Sequence, residues 1–122
     1  MIDPVHLKPV IWIGTSRRDL SEMPEKVQAD FGYAPYVAQQ GDQHRNAKPL
    51  TGFGGGGVVE IVSDYRGDTF RCIYTVRLAG SVYVLHAFQN KSKKGNATPK
   101  VEIELLKVRL RDAERLAKGG TS

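Results

Sequence analysis

Three stretches in the middle of the chain are apolar over the length of a β-strand. Residues 58–65, 69–77 and 81–88 are rich in Val, Ile, Tyr and Phe, and short glycine-containing connections separate them. Connections this short join antiparallel neighbours, so the three stretches predict a meander. An earlier apolar run, residues 10–13, predicts a first strand that ends at Gly14.

A helical pattern of apolar residues lies between the first strand and the meander. Within residues 24–40, Val27 and Phe31 stand four positions apart, and Pro24 suits the first position of a helix. Pro35 falls inside the same pattern, where its ring removes a hydrogen bond and clashes with the preceding turn. We therefore expect a helix that kinks or breaks just before Pro35.

Two further helices are predicted, one on each side of these elements. Thr15 or Ser16 offers an N-cap for one or two helical turns. Near the C-terminus, Thr98 is a candidate cap and Pro99 suits the first helical position. The apolar residues with helical spacing in this last helix are Val101, Leu105, Val108 and Leu116.

The order of these elements indicates the fold class. A strand, helices, three antiparallel strands and a final helix predict an α+β domain: a small antiparallel sheet with two N-terminal helices on one face and a C-terminal helix. The other face of such a sheet can stay open to a partner. The glycines at 54–57 do not predict a phosphate-binding loop, because no Gly-Lys-Ser/Thr follows and the segment leads into a strand.

Charge is distributed unevenly along the 122 residues. Residues 1–88 carry nine Lys/Arg and nine Asp/Glu, whereas residues 89–122 carry nine and four, so the entire net charge of +5 lies in the C-terminal third. A neutral body with a basic C-terminal part favours a polyanionic partner: nucleic acid, an acidic protein or a membrane surface. A solvated basic helix explains the same charge without any partner.

Other sequence features exclude several classes of protein. Cys72 is the only cysteine and lies among apolar residues, so it is interpreted as a core residue and no internal disulfide can form. No clustered His, Cys or carboxylate spacing supports a metal site, and no cofactor is expected. Without a signal-peptide pattern or an apolar run of membrane length, we expect a single cytoplasmic domain over residues 1–122, with a frayed tail at 119–122.

Alternation assigns a face to the arginine of the middle strand. Arg71 falls on the face of the middle strand opposite Phe70 and Cys72. An arginine there either pairs with a carboxylate such as Glu60 or Asp64, or holds a phosphate through a bidentate hydrogen bond.

Alternation also assigns a face to the histidine of the last strand. It puts His86 on one face with Val84 and Phe88. His86 is then either a hydrogen-bonded core histidine or an acid–base group.

A lysine-rich segment follows the strand that carries His86. Lys91, Lys93 and Lys94 can converge with Arg71 on one site, an arrangement that suits a phosphodiester. Cations stabilise the charge that grows on phosphorus during attack by a ribose 2′-OH, and a lysine among like charges can lose its proton near neutrality. Aromatic rings at Tyr65, Tyr74 or Phe88 are candidates for stacking a splayed base.

These motifs resemble a known family. Residues 23–34 and 48–110 are similar to the phage-derived branch of HigB-like toxins in the RelE/ParE toxin superfamily. The most specific elements are Arg71 on the middle strand, then Leu-His-X-Phe ending at Phe88, the lysine-rich segment, and Thr-Pro opening a helix. The resemblance implies a RelE-like fold and the toxin of a type II toxin–antitoxin pair. Such toxins cleave mRNA as metal-independent endoribonucleases, typically on the ribosome, at the A site of the 30S subunit.

The resemblance also implies partners and roles. A neighbouring gene would encode an antitoxin, here expected to be a helix-turn-helix protein. Arg71 would stabilise the phosphate, Lys91 and Lys94 would act as base, acid or clamp, and His86 matches the family histidine, catalytic or structural. The expected RNA-binding residues are Lys93, Tyr65, Arg66, Tyr74, Phe88 and Asn90.

Two positions depart from the family pattern. Asn90 stands where similar sequences often have lysine, so either activity is weak or Lys91 substitutes. Pro35 stands where a plain helix former is expected. Two alternatives follow: a ParE-like toxin that inhibits DNA gyrase, or a catalytically silent relative that only binds RNA or a partner.

Overall fold

The computed structural model describes residues 8–39, 47–50, 52–53, 57–76, 78, 80–90 and 98–119. Its elements are, in chain order, β1 Val10–Trp12, α1 Ser16–Ser21, α2 Glu25–Gln39, β2 Lys48–Pro49, β3 Val58–Tyr65, β4 Asp68–Thr75, β5 Val82–Asn90 and α3 Lys100–Ala117. They form the α+β architecture that the order of sequence patterns predicts. The expected frayed tail, apart from Gly119, lies outside the described residues.

The five strands form one sheet in the order β1-β5-β4-β3-β2. The predicted meander is confirmed, because β3 pairs antiparallel with β4 and β4 with β5. The expectation of a wholly antiparallel sheet is wrong at β1, which runs parallel to β5. The long chain between these two strands permits the parallel pairing. Strand β2 was not predicted; it is two residues at the edge, where Pro49 costs no ladder hydrogen bond.

Helices cover both faces of the sheet. On the face that we call the α2 face, Leu20 of α1 and Val27 and Phe31 of α2 pack against the sheet, with Cys72 and Tyr74 among their buried partners. On the opposite face, called the α3 face, α3 packs through Leu106, Leu110 and Ala113 against a cluster that includes Ile73, Tyr83, Leu85 and Phe88. The expectation that this second face stays open is therefore wrong, because α3 uses it to bury apolar surface.

Helix α2 continues through Pro35. It is helical from Glu25 to Gln39, so of the two predicted outcomes, a kink or a break, the break is wrong. A proline removes only one backbone hydrogen bond, whereas Val27, Phe31 and Ala38 all bury their side chains along the same helix. Tertiary packing on both sides of Pro35 therefore outweighs the local preference to end the helix.

Helix α3 packs on the sheet through residues other than the apolar series that the sequence analysis identified. The expected apolar positions Val101, Val108 and Leu116 are exposed and Leu105 is half-buried. The residues that α3 buries are instead Leu106, Arg109, Leu110 and Ala113.

No helix in the described ranges, α3 included, has the length and apolarity needed to cross a bilayer.

The predicted helix caps are only partly correct. Pro99, rather than Thr98, occupies the N-cap of α3, and its carbonyl accepts hydrogen bonds from the N–H groups of Glu102 and Ile103. Thr15 does occupy the N-cap of α1, but its hydroxyl donates to a carboxylate oxygen of Asp19 at 2.7 Å instead of capping the backbone.

A β-bulge changes which residues of β5 share a face. Ile73 pairs with His86 and Tyr74 pairs with Val84, so Leu85 is an extra residue in β5. Leu85 and His86 consequently both lie on the α3 face, together with Phe88, while Val84 and Ala87 pack on the α2 face. The prediction that Val84 shares a face with His86 is wrong for this reason.

Cys72 lies in the core, as predicted. Its side chain is fully buried on the α2 face among apolar neighbours. Burial disfavours the thiolate and raises the pKa of the thiol to about 12. A nucleophilic role for this cysteine is excluded, since the reactive form is the thiolate.

Candidate functional site

The α3 face of the sheet carries the predicted chemistry in three cross-strand rows. Each row takes one residue from β3, one from β4 and one from β5. The rows are Glu60–Ile73–His86, Val62–Arg71–Phe88 and Asp64–Thr69–Asn90. Arg71 thus occupies the centre of the face opposite Phe70 and Cys72, as the alternation in β4 predicts.

Arg71 pairs with a carboxylate. Its Nη1 atom donates to Oε2 of Glu60 over 2.9 Å, and the two side chains are only 4% and 15% exposed. Glu60 stands one pleat away on β3, a diagonal neighbour within reach of a long side chain. Of the two explanations that the sequence leaves open for Arg71, this is the carboxylate pair. A phosphate bound here would either share the guanidinium of Arg71 with Glu60 or displace the Glu60 carboxylate from it.

His86 is held through both ring nitrogens. Nε2 lies 3.0 Å from Oε1 of Glu102 in the first turn of α3, and Nδ1 lies 3.1 Å from Nη1 of Arg109. A guanidinium can only donate, so Nδ1 must accept, and Nε2–H then donates to the carboxylate. These roles assign a neutral imidazole with its proton on Nε2.

The surroundings of His86 favour the same neutral form. Burial lowers the pKa of His86 below its usual range, and this effect outweighs the hydrogen bond to Glu102, which raises the pKa. The positive charge of Arg109 lowers it further. The ring also stacks on Phe88, with centroids 4.7 Å apart and an interplanar angle of 23°. His86 is therefore placed as a buried link between β5 and α3.

Arg109 is a further residue of the site that the sequence analysis did not identify. Besides His86, its guanidinium donates to the carbonyl oxygen of Leu85 at 3.0 Å and to the hydroxyl of Thr15 at 3.1 Å. It thereby joins α3, the bulge of β5 and the start of α1. A usable sequence signal exists: Arg109 stands in the helical series with Leu106, Leu110 and Ala113, where an apolar residue would be expected.

Gly14 fits closely against this arginine. Its backbone has a φ of +58°, in the left-handed region, and an added Cβ would stand 2.9 Å from Nε of Arg109. Both the backbone conformation and the space therefore require glycine at this position. The close approach brings the end of β1 against the guanidinium.

The predicted RNA-binding residues do not all lie on this face. Tyr65 and Arg66 stand at the β3–β4 turn, where the guanidinium of Arg66 lies 5.2 Å from the centre of the Tyr65 ring. Tyr65 packs against the cluster on the α2 face. Tyr74 is 1% exposed on that same face, and burial raises the pKa of its hydroxyl to about 12. Its ring belongs to the core, and a nucleobase has no access to it.

Phe88 and Asn90 are buried near the end of β5. Phe88 is the cross-strand partner of Arg71, and Asn90, the last residue of the strand, is the partner of Thr69. The lysines at 91, 93 and 94 lie outside the described residues. The structure therefore brings together Arg71, His86 and Phe88, with Asn90 at the point where the lysine-rich segment begins.

A comparison with protein-family models finds one match that covers most of the chain. Residues 18–111 match the family described as Phage derived protein Gp49-like. The chain belongs to this Gp49-like family. The matched residues include every described member of the site except Thr15 and Gly14, so the Arg71–Glu60 pair and the His86–Glu102–Arg109 network lie within the family domain.

Solved structures and curated proteins were compared as well. The chain is similar to a chain from the crystal structure of the toxin–antitoxin complex RelBE2 of Mycobacterium tuberculosis. The two are 22% identical over 75% of this chain and 100% of that one, with a TM-score of 0.46. No curated protein matches the chain.

The Arg71–Glu60 pair and the His86–Glu102–Arg109 network on the α3 face of this Gp49-like protein carry no net charge, and Asp64 lies on the same face. Arg71 pairs with Glu60, and the neutral imidazole of His86 lies between Arg109 and Glu102. The described residues hold no group of three His, Cys, Asp or Glu side chains arranged to bind a metal ion. Any net positive charge needed to hold a polyanion at this face must come from neighbouring segments, such as the one with the three lysines.

Proposed function

We propose that this Gp49-like protein is the toxin of a type II toxin–antitoxin pair and acts as an mRNA endoribonuclease on the ribosome. The observation that supports this most is the position of Arg71 beside Phe88, one pleat from the end of β5, where Lys91 to Lys94 follow in sequence. Arginine, histidine and lysines in this order are also what the HigB-like resemblance implies.

In the proposed reaction, a ribose 2′-OH of the mRNA attacks the adjacent phosphorus and the 5′-oxygen of the next nucleotide leaves. The products are a 2′,3′-cyclic phosphate and a 5′-hydroxyl end. Because the nucleophile comes from the substrate, no metal-activated water is required. One lysine accepts the 2′-OH proton, another protonates the leaving oxygen, and cations stabilise the charge on phosphorus.

The proposed roles combine the position of Arg71 with what the HigB-like resemblance implies for the lysines. Arg71 stabilises the phosphate, Lys91 and Lys94 supply the base, the acid or a phosphate clamp, and Lys93 binds the RNA backbone. His86 positions Phe88 and the first turn of α3. Both of its nitrogens are occupied, so it does not transfer the proton itself.

Residues at the end of the sheet, farther from the scissile phosphate, are assigned to RNA recognition. Arg66 and Tyr65 stand at the end of the sheet from which the lysine-rich segment departs, and they bind the flanking nucleotides, whereas Asn90 is buried at that end. The proposed setting is the cytoplasm, with mRNA in the 30S A site as substrate. A helix-turn-helix antitoxin encoded beside the gene is the proposed inhibitor.

Two observations favour a second candidate function. Glu60 neutralises Arg71, and Asn90 replaces a lysine that is common in similar sequences. A silent relative that binds RNA without cleaving it would show both features. The ParE-like alternative has no comparable support, because a gyrase inhibitor needs neither Arg71 nor the lysines for phosphodiester chemistry.

Purified protein distinguishes these functions. A defined mRNA is incubated with the chain, with and without ribosomes stalled at a known codon, and its ends are mapped by primer extension. We expect cleavage within the A-site codon that depends on ribosomes. RNA binding without cleavage would support the silent relative. Inhibition of gyrase-catalysed supercoiling with intact mRNA would overturn the proposal in favour of the ParE-like function.

A further inference from the structure

Helix α3 carries a second apolar surface that the fold does not use. Val101, Val108 and Leu116 are 73%, 50% and 37% exposed. With the half-buried Leu105 they recur at helical spacing and form what we call the outer stripe of α3. The outer stripe runs along the side of the helix away from Leu106, Leu110 and Ala113, which pack on the sheet.

One side of the outer stripe is lined by cations. Lys107 and Arg111 are exposed and stand one turn apart. With Lys100 and Lys118, which are also exposed, they form the basic flank of α3. Arg115 is exposed too, but it pairs with Asp112 at 3.2 Å. Glu104 is an exposed carboxylate of α3, and the side chain of Asp112, between Val108 and Leu116, is 42% exposed. The exposed cations outnumber these carboxylates, so the described surface beside the stripe has a net positive charge.

We propose that the outer stripe and the basic flank bind an acidic amphipathic segment of a partner protein, with apolar residues on the stripe and carboxylates on the flank. This inference rests on the proposed function, in which that partner is the antitoxin. Charge complementarity selects the occupant: the stripe buries apolar surface, while acidic side chains neutralise Lys107 and Arg111.

Two other occupants fit the surface less well. Single-stranded RNA would use the cations, but the aliphatic stripe offers no aromatic ring for base stacking. A second copy of this chain would bring an identical basic flank, so self-association would leave the cations without counter-charges. An apolar and acidic protein segment satisfies both halves of the surface at once.

The test uses the full chain and the polypeptide encoded immediately beside its gene, co-expressed and purified. Binding is measured by calorimetry for two double variants. Val101→Asp with Val108→Asp charges the stripe, and an acidic residue at 101 lies in the first helical turn, where the helix dipole tolerates it. Lys107→Glu with Arg111→Glu reverses the flank. Ala29→Asp, at an exposed position of α2, is the matched control.

We expect each double variant to weaken binding by about tenfold or more, while Ala29→Asp leaves it within about twofold. Binding to the unaltered chain should weaken with added salt, and the flank variant should lose this salt dependence. Unchanged affinity in both double variants, or no complex with the unaltered chain, overturns the proposal. The proposal is also overturned if a fluorescent RNA 20-mer binds the unaltered chain and the stripe variant but does not bind the flank variant.

Growth assays separate this proposal from the proposed function. The stripe variant should still arrest growth and cleave mRNA, because α3 presents the stripe away from Arg71, but the neighbouring gene should no longer rescue the cells. Full rescue of the stripe variant contradicts the docking surface. If the unaltered chain neither arrests growth nor cleaves mRNA, the proposed function fails, while calorimetry still decides whether the surface binds the neighbouring polypeptide.

Discussion

His86 donates a hydrogen bond from Nε2 to Oε1 of Glu102 over 3.0 Å, and this contact joins the last strand of the sheet to the first turn of α3. Since Arg109 occupies the other ring nitrogen, the imidazole is neutral and held on both sides. The residue that most resembles a catalytic acid or base in the sequence is thus a link between elements. The chemistry of the proposed reaction falls to Arg71 and the lysines.

Stability should depend on pH through His86. Burial lowers its pKa in the folded chain below the ordinary value of 6.5, so the unfolded chain binds the proton first as the pH falls. The stability that the neutral form of His86 contributes is fully present above about pH 6.5, and it is lost as the pH falls towards the lowered pKa. One group contributes at most about 1.4 kcal/mol per pH unit.

Urea unfolding of the unaltered chain and of His86→Gln, measured between about pH 7.5 and 5, checks this. The free energy of unfolding of the unaltered chain should fall more steeply than that of the variant. Parallel pH profiles would show that His86 does not titrate between the two states in this range.

Arg109 should be one of the most costly side chains to remove. Arg109→Ala leaves the carbonyl of Leu85, the hydroxyl of Thr15 and Nδ1 of His86 without their donor in a buried region. We expect a loss of about 3 kcal/mol in the free energy of unfolding. The exposed Arg111→Ala on the same helix is the control and should change it by less than about 0.5 kcal/mol. Similar losses for both variants would refute the role of Arg109 as a link.

Gly14→Ala should destabilise the fold partly through Arg109. A positive φ costs a non-glycine residue about 1–2 kcal/mol, and the contact at 2.9 Å adds to that cost. In the Arg109→Ala background the contact disappears, so the cost should be smaller and the two changes non-additive. Gly32→Ala, with open space around its Cβ position in α2, should instead stabilise by up to about 1 kcal/mol. Strict additivity at Gly14 and Arg109 would rule out the close approach.

Variants of Glu60 and Arg71 should change different properties: the first should lower stability, and the second should lower cleavage. Glu60→Gln leaves the buried guanidinium with a neutral acceptor, which we expect to cost about 1–3 kcal/mol of stability while cleavage persists. Arg71→Ala should reduce cleavage by about 100-fold or more, with ribosome binding largely kept. The exposed Glu104→Gln is the control for a lost carboxylate. Equal cleavage by Arg71→Ala and the unaltered chain would show that Arg71 is structural.

The face of Arg71 could be predicted because the alternation in β4 is uninterrupted from Phe70 to Thr75. Its partner Glu60 could be named as one candidate, since a carboxylate on the neighbouring strand lies within reach. The face of Val84 could not be predicted. Leu85 is apolar and fits either face, so nothing in the pattern reveals that it is the extra residue of a bulge.

The packing of helix α3 is a second feature that the sequence pattern could not predict. It has two apolar series, and the one with four aliphatic residues at regular spacing is the exposed one. The buried series contains Arg109, whose partners Leu85 and Thr15 are distant in sequence, so its burial follows only from the assembled fold. The predicted break at Pro35 failed for a similar reason, because packing of α2 on the sheet decides its length.

The central claim is that this protein cleaves translated mRNA with Arg71 and the lysines that follow β5. The most direct test is to map mRNA 5′ ends in a bacterial host without the antitoxin after brief induction. The unaltered chain is compared with Lys91→Ala/Lys94→Ala and with Lys48→Ala/Lys107→Ala, a control that removes the same charge from exposed positions. We predict new ends within codons for the unaltered chain and the control, and none for the first variant. Growth arrest with intact mRNA, or unchanged cleavage by the Lys91/Lys94 variant, would contradict the account.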